Sequence, residues 1–251
     1  MKIAVCVKQV PEGTKRIDRA TMRLDRSGEG ALNGFDAHAV EEALRVKDAA
    51  GGGEIVLVSM GPAKAADALR KALAMGADRS VLVTDDAAAG ADLVGTSRVL
   101  AAVLEREQPD LVLFGQQAAD ADGAVLWSAV AERLRRPVIS QVAELTVADG
   151  KARGKRQTEF GYDVIEAALP AVVAVSDAIN EPRYPSLKGI MGAKSKPQET
   201  LTLADLGVEA GAKTEVLALS DPPPRGDTTK IEDDGDAAAK LVEFLAEKRL
   251  L

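Results

Sequence analysis

Acidic residues near the middle of the chain are the first candidates for chemistry. Asp120 and Asp122 occur in the stretch GQQAADADG, which begins at Gly115 where an apolar run ends. Two carboxylates at this spacing can act as general acid and base or bind a metal ion. At a helix start such residues more often cap the helix, and we interpret them as capping groups. The backbone N–H groups of that helix start would form an anion site suited to a nucleotide phosphate.

Side chains that usually carry nucleophilic catalysis are scarce. The sequence has one histidine, His38, and one cysteine, Cys6. We interpret His38 as a solvated or locally bonded residue in a helix, and Cys6 as a small buried residue in a strand. Neither the G-x-G-x-x-G pattern nor the G-x-x-x-x-G-K-[ST] pattern of phosphate-binding loops occurs. We therefore expect a nucleotide-binding domain with no catalytic residues and no metal site.

Composition excludes several classes of protein. The chain has 251 residues, of which 46% are hydrophobic, so it can bury a large core. A net charge of -7, a pI near 5.0 and an aromatic content of 3% argue against binding to nucleic acid. A single cysteine excludes an intrachain disulfide and suits a reducing compartment. No apolar run is long enough for a membrane span or a signal peptide, and we expect a cytoplasmic protein.

Apolar runs of strand length alternate with helical patterns. They predict strands at residues 3–7, 54–60, 80–84, 110–115 and 171–176. Because these runs are continuous, both faces of the sheet should be covered. The alternation predicts an α/β fold with a doubly wound, mostly parallel sheet, in which ligands bind beyond the carboxyl ends of the strands where strand order reverses. Residues 140–169 alternate apolar and polar side chains around Asp149-Gly150, which predicts an antiparallel extension.

Residues 180–197, NEPRYPSLKGIMGAKSKP, are named the recognition loop below. Their prolines and glycines predict neither a regular helix nor a strand. Four cations against one acid make the segment net +3 within an acidic chain. From the residues alone, its apolar side chains either fold back on the domain or contact a partner. A Pro- and Gly-rich tract and a final helix follow, and the apolar stripe of that helix needs cover from its own domain or from another subunit.

Several stretches together resemble the β (small) subunit of electron transfer flavoprotein. They are KIAVCVKQVPEG, LNGFDAHAVEEALRVKD, VLVSMGPAKAADALRKALAMGADRSVLV, GQQAADADG and LPAVVAVSDAINEPRYPSLKGIMGAKSKP. They occur in the order of the family and extend to about residue 208, and the last is the most specific. The resemblance implies a Rossmann-like, adenine nucleotide α-hydrolase-like domain at 1–208. It also implies a C-terminal arm at 209–251, a linker and a helix that pack on the α subunit.

The resemblance further implies an electron carrier rather than an enzyme. A larger α subunit would hold most of a redox-active FAD. Electrons would arrive from flavoprotein dehydrogenases such as the acyl-CoA dehydrogenases of fatty acid β-oxidation and leave to a membrane quinone oxidoreductase. This subunit would carry AMP, which we favour, or a second FAD in electron-bifurcating members. The alternatives from other classes are a stand-alone AMP- or ATP-binding protein of the universal-stress type and an adenylate-using hydrolase.

Family motifs assign the expected site residues. The nucleotide would be lined by Cys6, Asn33, Gly34, Phe35, Asp36, Met60, Ala118, Ala119, Asp120, Ala121, Asp122, Gly123, Ala124, Val125, Leu126, Trp127 and Ser128. Among these, Phe35 is expected near the flavin of the α subunit. Leu126 and Trp127 stand where many members have small or hydroxyl residues, which bears on the identity of the nucleotide.

The recognition loop would bind the dehydrogenase. Leu187 matches the leucine that anchors in an apolar pocket of that partner, and Ile190 and Met191 would widen the contact. The remaining expected partner-binding residues are an aromatic ring and the four cations that could steer an acidic surface: Tyr184, Arg183, Lys188, Lys194 and Lys196.

Overall fold

The computed structural model describes residues 1–13, 15–224, 226 and 228–251. This described part of the chain divides into two compact units, Met1–Val216 and Leu217–Leu251. The sequence placed the corresponding boundary at residue 208. The first unit holds the sheet and the helices that cover it.

The strands follow the apolar runs of the sequence closely. They are β1 (Lys2–Cys6), β2 (Gln9–Pro11), β3 (Ile17–Asp18), β4 (Arg23–Leu24), β5 (Gly30–Leu32), β6 (Glu54–Met60), β7 (Arg79–Val83), β8 (Leu111–Gly115), β9 (Val138–Ala148), β10 (Lys151–Thr158), β11 (Gly161–Ala168), β12 (Ala171–Val175) and β13 (Gln198–Leu201). The helices are α1 (Gly34–Ala49), α2 (Ala66–Met75), α3 (Leu93–Glu107), α4 (Leu126–Leu134), α5 (Leu187–Ala193), α6 (Leu203–Leu206) and α7 (Ala237–Glu247).

Among the described residues, nine strands form one sheet in the order β11-β10-β9-β12-β8-β1-β6-β7-β13. All neighbours from β9 to β13 are parallel, whereas β10 pairs antiparallel with both β9 and β11. The predicted α/β fold with a mostly parallel sheet and an antiparallel extension is confirmed. The predicted hairpin turn is also present, because Asp149 and Gly150 both adopt the positive φ angles, 52° and 72°, that a tight turn between β9 and β10 requires.

Both faces of the central strands are buried, as the continuous apolar runs predicted. In β1, Ile3 and Val5 belong to the core layer that includes side chains of α1 and α2. Their neighbours Ala4 and Cys6 belong to the opposite layer, which includes side chains of α3 and α4. Each central strand therefore needs apolar residues at every position, which produces runs instead of alternation.

Strand order reverses between β1 and β8. From β1 the chain continues to β6 and β7 on one side, and then returns to place β8 on the other side of β1. In open α/β sheets, ligands bind at the edge where the loops leave the carboxyl ends of two such strands, and this edge at β1 and β8 is called the crevice below. The β1 loop contains the antiparallel pairs β2–β5 and β3–β4 before it enters α1.

The first turn of α1 packs directly against the last residue of β8. A Cβ atom at Gly115 would lie 2.5 Å from Oδ1 of Asp36 and 2.6 Å from the carbonyl carbon of Phe35. Real Cβ contacts do not occur at these distances. The absence of a side chain at Gly115 is therefore what allows α1 to begin at the edge of the crevice.

The expectation of an irregular recognition loop was wrong for Leu187–Ala193, which form helix α5. Ser186 caps this helix, since its Oγ accepts a hydrogen bond of 3.0 Å from the Gly189 N–H. The glycine that argued against a helix has a packing role, because a Cβ atom at Gly189 would lie 2.4 Å from the Ala74 carbonyl oxygen of α2. Close approach to α2 thus overrides the weak helix propensity of glycine.

The second unit contains the predicted C-terminal helix, α7. Lys240 in its first turn forms ion pairs with Asp234 and Asp236, at 3.0 and 2.6 Å. Leu241 and Val242 on this helix are about half exposed.

We predict that Gly115→Ala lowers the free energy of unfolding by about 1–3 kcal/mol, because the new methyl group must displace the backbone of α1. Urea unfolding of the purified protein measures this change. The matched control is Gly123→Ala, since a Cβ atom at Gly123 meets no heavy atom within 4 Å. Equal stability of the two variants would contradict the packing role of Gly115.

Candidate functional site

The residues expected to line the nucleotide meet at the crevice between β1 and β8. Cys6 is the last residue of β1, and Asn33 immediately precedes α1. The loop of residues 116–125 leaves β8 and enters α4. Met60 ends β6, the strand next to β1 at the same edge. The structure thus brings these predicted positions to one edge of the sheet.

Asn33 joins the two loops of the crevice. Its side-chain amide donates a hydrogen bond of 2.9 Å to the Gln117 carbonyl, and its Oδ1 accepts one of 3.1 Å from the Ala119 N–H. Its own N–H donates to the Lys8 carbonyl. Asn33 is almost fully buried, so these bonds are shielded from water. Its side chain therefore positions the loop after β8.

Asp36 is a buried carboxylate in the first turn of α1. One carboxylate oxygen accepts a hydrogen bond of 2.7 Å from the Lys8 N–H. Burial raises the pKa of Asp36 to about 7, and hydrogen bonds from Asn33 and Lys8 only partly oppose this effect. Cys6 is buried as well, and its burial, together with the nearby charge of Asp36, raises the pKa of the Cys6 thiol far above its ordinary value. Cys6 is thus protonated at neutral pH, which agrees with its interpretation as a small buried residue.

The prediction that Asp120 and Asp122 cap a helix was wrong. Helix α4 begins only at Leu126, and the residue that precedes it is Val125, whose side chain makes no capping bond. The Asp120 carboxylate instead binds Lys8 Nζ at 2.8 Å and the Arg26 guanidinium. Burial alone would raise the pKa of Asp120, but these two cations hold it below its usual range.

Cations from the β1 loop surround the start of the β8 loop. Besides Lys8 and Arg26 at Asp120, Lys15 Nζ donates to the Ala119 carbonyl. Asp120 pairs with two of these cations, and Lys8 also interacts electrostatically with Asp36. Sequence reasoning missed all three residues because they lie far from Asp120 along the chain.

Residues 121–125 are exposed, and the start of α4 is accessible beside them. Trp127 donates from its indole N–H to the Gln116 carbonyl at 3.1 Å. It is partly buried against the sheet. This bond connects α4 to the residue that follows β8. The first backbone N–H groups of α4 receive no capping hydrogen bond from the side chain of Val125.

His38 is locally bonded, as its interpretation required. Its Nδ1 lies 2.9 Å from the Asn180 carbonyl oxygen, and the Asn180 side chain donates back to the His38 carbonyl at 3.0 Å. In the part of the chain that the structure describes, no group of three or more His, Cys, Asp or Glu side chains is placed to hold a metal ion. Over the same residues, no helix is both long and apolar enough to cross a membrane.

The recognition loop presents its apolar side chains to solvent. Tyr184 is 94% exposed, Leu187 81%, Met191 76% and Ile190 49%. The alternative in which these side chains fold back on the domain is therefore wrong. A second exposed apolar group, which sequence reasoning missed, occurs on the antiparallel extension at Phe160, Tyr162 and Val164.

Two of the four cations of the recognition loop are engaged inside the chain. Arg183 forms a bidentate ion pair with Glu41 of α1, at 2.7 and 3.0 Å. Lys196 Nζ donates to the carbonyls of Leu73, at 2.9 Å, and Ala77. Lys188 and Lys194 form no ion pair with any described residue and remain available to a partner.

Comparison with known proteins identifies the family. The Electron transfer flavoprotein domain matches residues 21–206. The electron transfer flavoprotein subunit beta of Mycobacterium leprae is 38% identical over 263 aligned residues, which cover 99% of each chain. The chain belongs to the electron transfer flavoprotein β-subunit family. Caffeyl-CoA reductase-Etf complex subunit CarD of Acetobacterium woodii is 39% identical over 262 residues and 100% of each chain. The electron transfer flavoprotein subunit beta of Thermoanaerobacterium thermosaccharolyticum is 40% identical over 231 residues and 88% of each chain.

Membership in the electron transfer flavoprotein β-subunit family confirms the resemblance seen in the motifs. It implies an α-subunit partner and a flavin in the assembled complex. It also decides against the readings as a stand-alone universal-stress-type protein or as an adenylate-using hydrolase, since full-length relatives carry the β-subunit name.

The raised pKa of Asp36 predicts a pH-dependent stability. Its folded pKa of about 7 exceeds its ordinary value of 3.8, so protonated Asp36 stabilises the fold below pH 4 and this stabilisation is lost as pH rises toward 7. Asp36→Asn keeps an acceptor for the Lys8 N–H but cannot ionise. As pH rises from 4.5 to 8, we expect the free energy of unfolding of this variant to increase by about 2 kcal/mol or more relative to that of the native protein.

Urea unfolding at several pH values measures this difference. Asp67→Asn is the control, because it makes the same substitution at an exposed carboxylate, which pairs with Arg70. A constant difference between Asp36→Asn and the native protein across this pH range would exclude an ionisation of Asp36 near neutrality.

Proposed function

We propose that this chain, together with an α subunit, is an electron carrier. It accepts electrons from flavoprotein dehydrogenases such as acyl-CoA dehydrogenases and passes them toward a membrane quinone oxidoreductase, as in fatty acid β-oxidation. The observation that carries the proposal is the exposed apolar surface of the recognition loop on a full-length member of the family. We place this carrier in the cytoplasm, in keeping with its single cysteine.

A carrier role agrees with the chemistry of the described residues. The thiol of Cys6 is buried and its pKa is raised, so it is a poor nucleophile. His38 is bonded to Asn180 at the base of the recognition loop. The chain's contribution would then be to bind a nucleotide, to shape the surroundings of the flavin and to contact redox partners.

The crevice between β1 and β8 suits an adenine nucleotide, and we assign AMP to it. The residues fit an anionic group, because the start of α4 lacks a side-chain cap and because Lys8, Lys15 and Arg26 contact residues 119 and 120 of the loop that enters this helix. A phosphate there would accept hydrogen bonds from backbone N–H groups of residues 123–127, because those of residues 121, 122 and 128 already donate to carbonyls of the chain. Asn33 would hold the loop in place. Side-chain hydroxyl contacts at positions 126 and 127 are missing, which leaves the phosphate to the backbone.

FAD would be shared with the α subunit, and it supplies the electron transfer when bound. In this chain, Phe35 is the residue assigned to the flavin. Phe35 is partly buried in the first turn of α1, where its backbone packs against Gly115. An apolar ring at this place would exclude water from the flavin and so affect its reduction potential.

A second candidate has a specific observation behind it. CarD, whose name places it in a caffeyl-CoA reductase-Etf complex, is similar to this chain over its full length. If this chain belongs to an electron-bifurcating complex, its crevice would hold a second FAD in place of AMP. The larger nucleotide would need more of the open edge beside residues 121–125.

The recognition loop is suited to short-lived contacts with a dehydrogenase. Burial of one leucine side chain contributes roughly 1.5–3 kcal/mol, which gives selectivity without a long-lived complex. Lys188 and Lys194 would attract an acidic surface and make association sensitive to salt. The C-terminal arm, residues 209–251, would pack on the α subunit and cover the half-exposed apolar residues of α7.

We predict that mass spectrometry of the nucleotides released from the co-produced heterodimer finds one FAD and one AMP. Acid release followed by quantitative chromatography gives the ratio to protein. Two FAD per heterodimer would overturn the AMP assignment and favour the bifurcating candidate. Release of FAD alone would contradict a nucleotide site in this subunit.

We predict that Leu187→Ala raises the KM for the heterodimer as electron acceptor of its dehydrogenase about tenfold, since about 1.4 kcal/mol of binding free energy corresponds to tenfold in affinity. The flavin absorbance and kcat should not change. Leu93→Ala is the control, because it makes the same truncation at an exposed position on α3. An unchanged KM for Leu187→Ala would remove the recognition loop from dehydrogenase binding.

A further inference from the structure

The base of the recognition loop is bonded to the middle of α1. Arg183 contacts Glu41 through its Nε and Nη2 atoms, and its backbone N–H donates to the same carboxylate at 3.2 Å. Asn180 donates from its side-chain amide to the His38 carbonyl and to Glu42 Oε2, both at 3.0 Å. Residues 180–183 are therefore bonded through side chains and backbone to one rigid helix.

Glu41 is the buried centre of this arrangement. It is 4% exposed, and it accepts from Arg45 of its own helix as well as from Arg183. Burial alone would raise the pKa of Glu41, but the hydrogen bonds from Arg183 and Arg45 lower it below its ordinary value. The carboxylate is thus charged at neutral pH and needs the guanidinium to satisfy it.

The other end of the recognition loop is bonded to α2. Lys196 binds the carbonyls of Leu73 and Ala77, which belong to the end of α2 and the residues after it. Gly189 approaches the Ala74 carbonyl so closely that no side chain would fit, and Ala193 is fully buried. Helix α5 therefore lies between two fixed points while its side chains at 187, 190 and 191 point to solvent.

We propose that Glu41 and Arg183 are positioning residues for dehydrogenase docking: the ion pair between the buried Glu41 carboxylate and the partly exposed Arg183 holds the exposed recognition loop in its binding shape before the partner arrives. This inference rests on the proposed function of the loop. Glu41 itself does not reach the exposed surface, so it would act through the shape of residues 180–193. A loop that is ordered in advance loses less conformational entropy on binding, which strengthens a contact with few anchors.

The test compares Glu41→Gln with Glu199→Gln in the intact heterodimer. Glu41→Gln breaks the Arg–Glu ion pairs that Glu41 forms with Arg183 and Arg45. Glu199→Gln breaks the exposed ion pair between Arg106 and Glu199 of β13. Two measurements are made: amide hydrogen exchange of residues 181–192, and the KM and kcat for reduction by the dehydrogenase. Arg183→Lys serves as a second variant, because lysine keeps the charge but loses the two-pronged contact.

We expect Glu41→Gln to speed exchange of residues 181–192 at least tenfold and to raise the KM at least fivefold, with kcat and flavin absorbance unchanged. Arg183→Lys should give a smaller change in the same direction, and Glu199→Gln none. Unchanged exchange in Glu41→Gln would overturn the inference.

Faster exchange with an unchanged KM would overturn the inference as well. That failure is distinguished from a failure of the proposed function by Leu187→Ala. If Leu187→Ala raises the KM and Glu41→Gln does not, docking through the loop stands and the positioning role falls. If neither raises the KM, docking through the loop falls.

Discussion

The contact between the first turn of α1 and the end of β8 is the constraint on which the functional geometry depends. Gly115 allows the backbone of Phe35 and Asp36 to reach the end of the strand. With α1 fixed there, Asn33 can bond the loop that follows β8, and the middle of the helix can bond the recognition loop. The candidate nucleotide site and the candidate docking surface are thus both positioned by one rigid helix, α1.

Buried carboxylates on α1 make these positions specific. Asp36, Glu41 and Glu42 are each less than 7% exposed, and each accepts from a different partner: the Lys8 N–H, Arg183 and Asn180. A buried carboxylate that loses its partner is strongly penalised, so alternative placements of the partner segments are disfavoured. Apolar packing against α1 alone would allow small shifts of those segments. Hydrogen bonds to buried carboxyl groups allow much smaller shifts, because they depend on distance and direction. Polar burial on this helix therefore selects one geometry at some cost in stability.

Most of the fold follows from local patterns, and most of the polar site does not. Continuous apolar runs predicted the central strands because burial on both faces demands them, and the strand order indicated the edge at which a ligand would bind. The family motifs, and not the pattern of strands, assigned Asn33 and residues 118–128 to that edge. The partners of Asp120 could not be predicted from the sequence, because Lys8 and Arg26 are far from it along the chain and contact it only in the folded protein. The same holds for α5, where the glycine that weakens a helix locally is required by the carbonyl of a residue in α2. Tertiary contacts decide such cases, and no window of sequence contains both partners.

The recognition loop shows why an exposed apolar surface needs support from elsewhere in the fold. Side chains such as Leu187 and Met191 obtain no stabilisation from the core in the free protein, so nothing in their own packing holds them in place. A transient complex offers only a small binding free energy, and ordering a flexible loop of this length would consume much of it. Anchoring the loop to α1 and α2 transfers the cost of ordering to the folding of the domain. Under the proposed function, the small free energy of burying a few side chains would then remain available to select the partner, and dissociation would stay fast enough for a carrier.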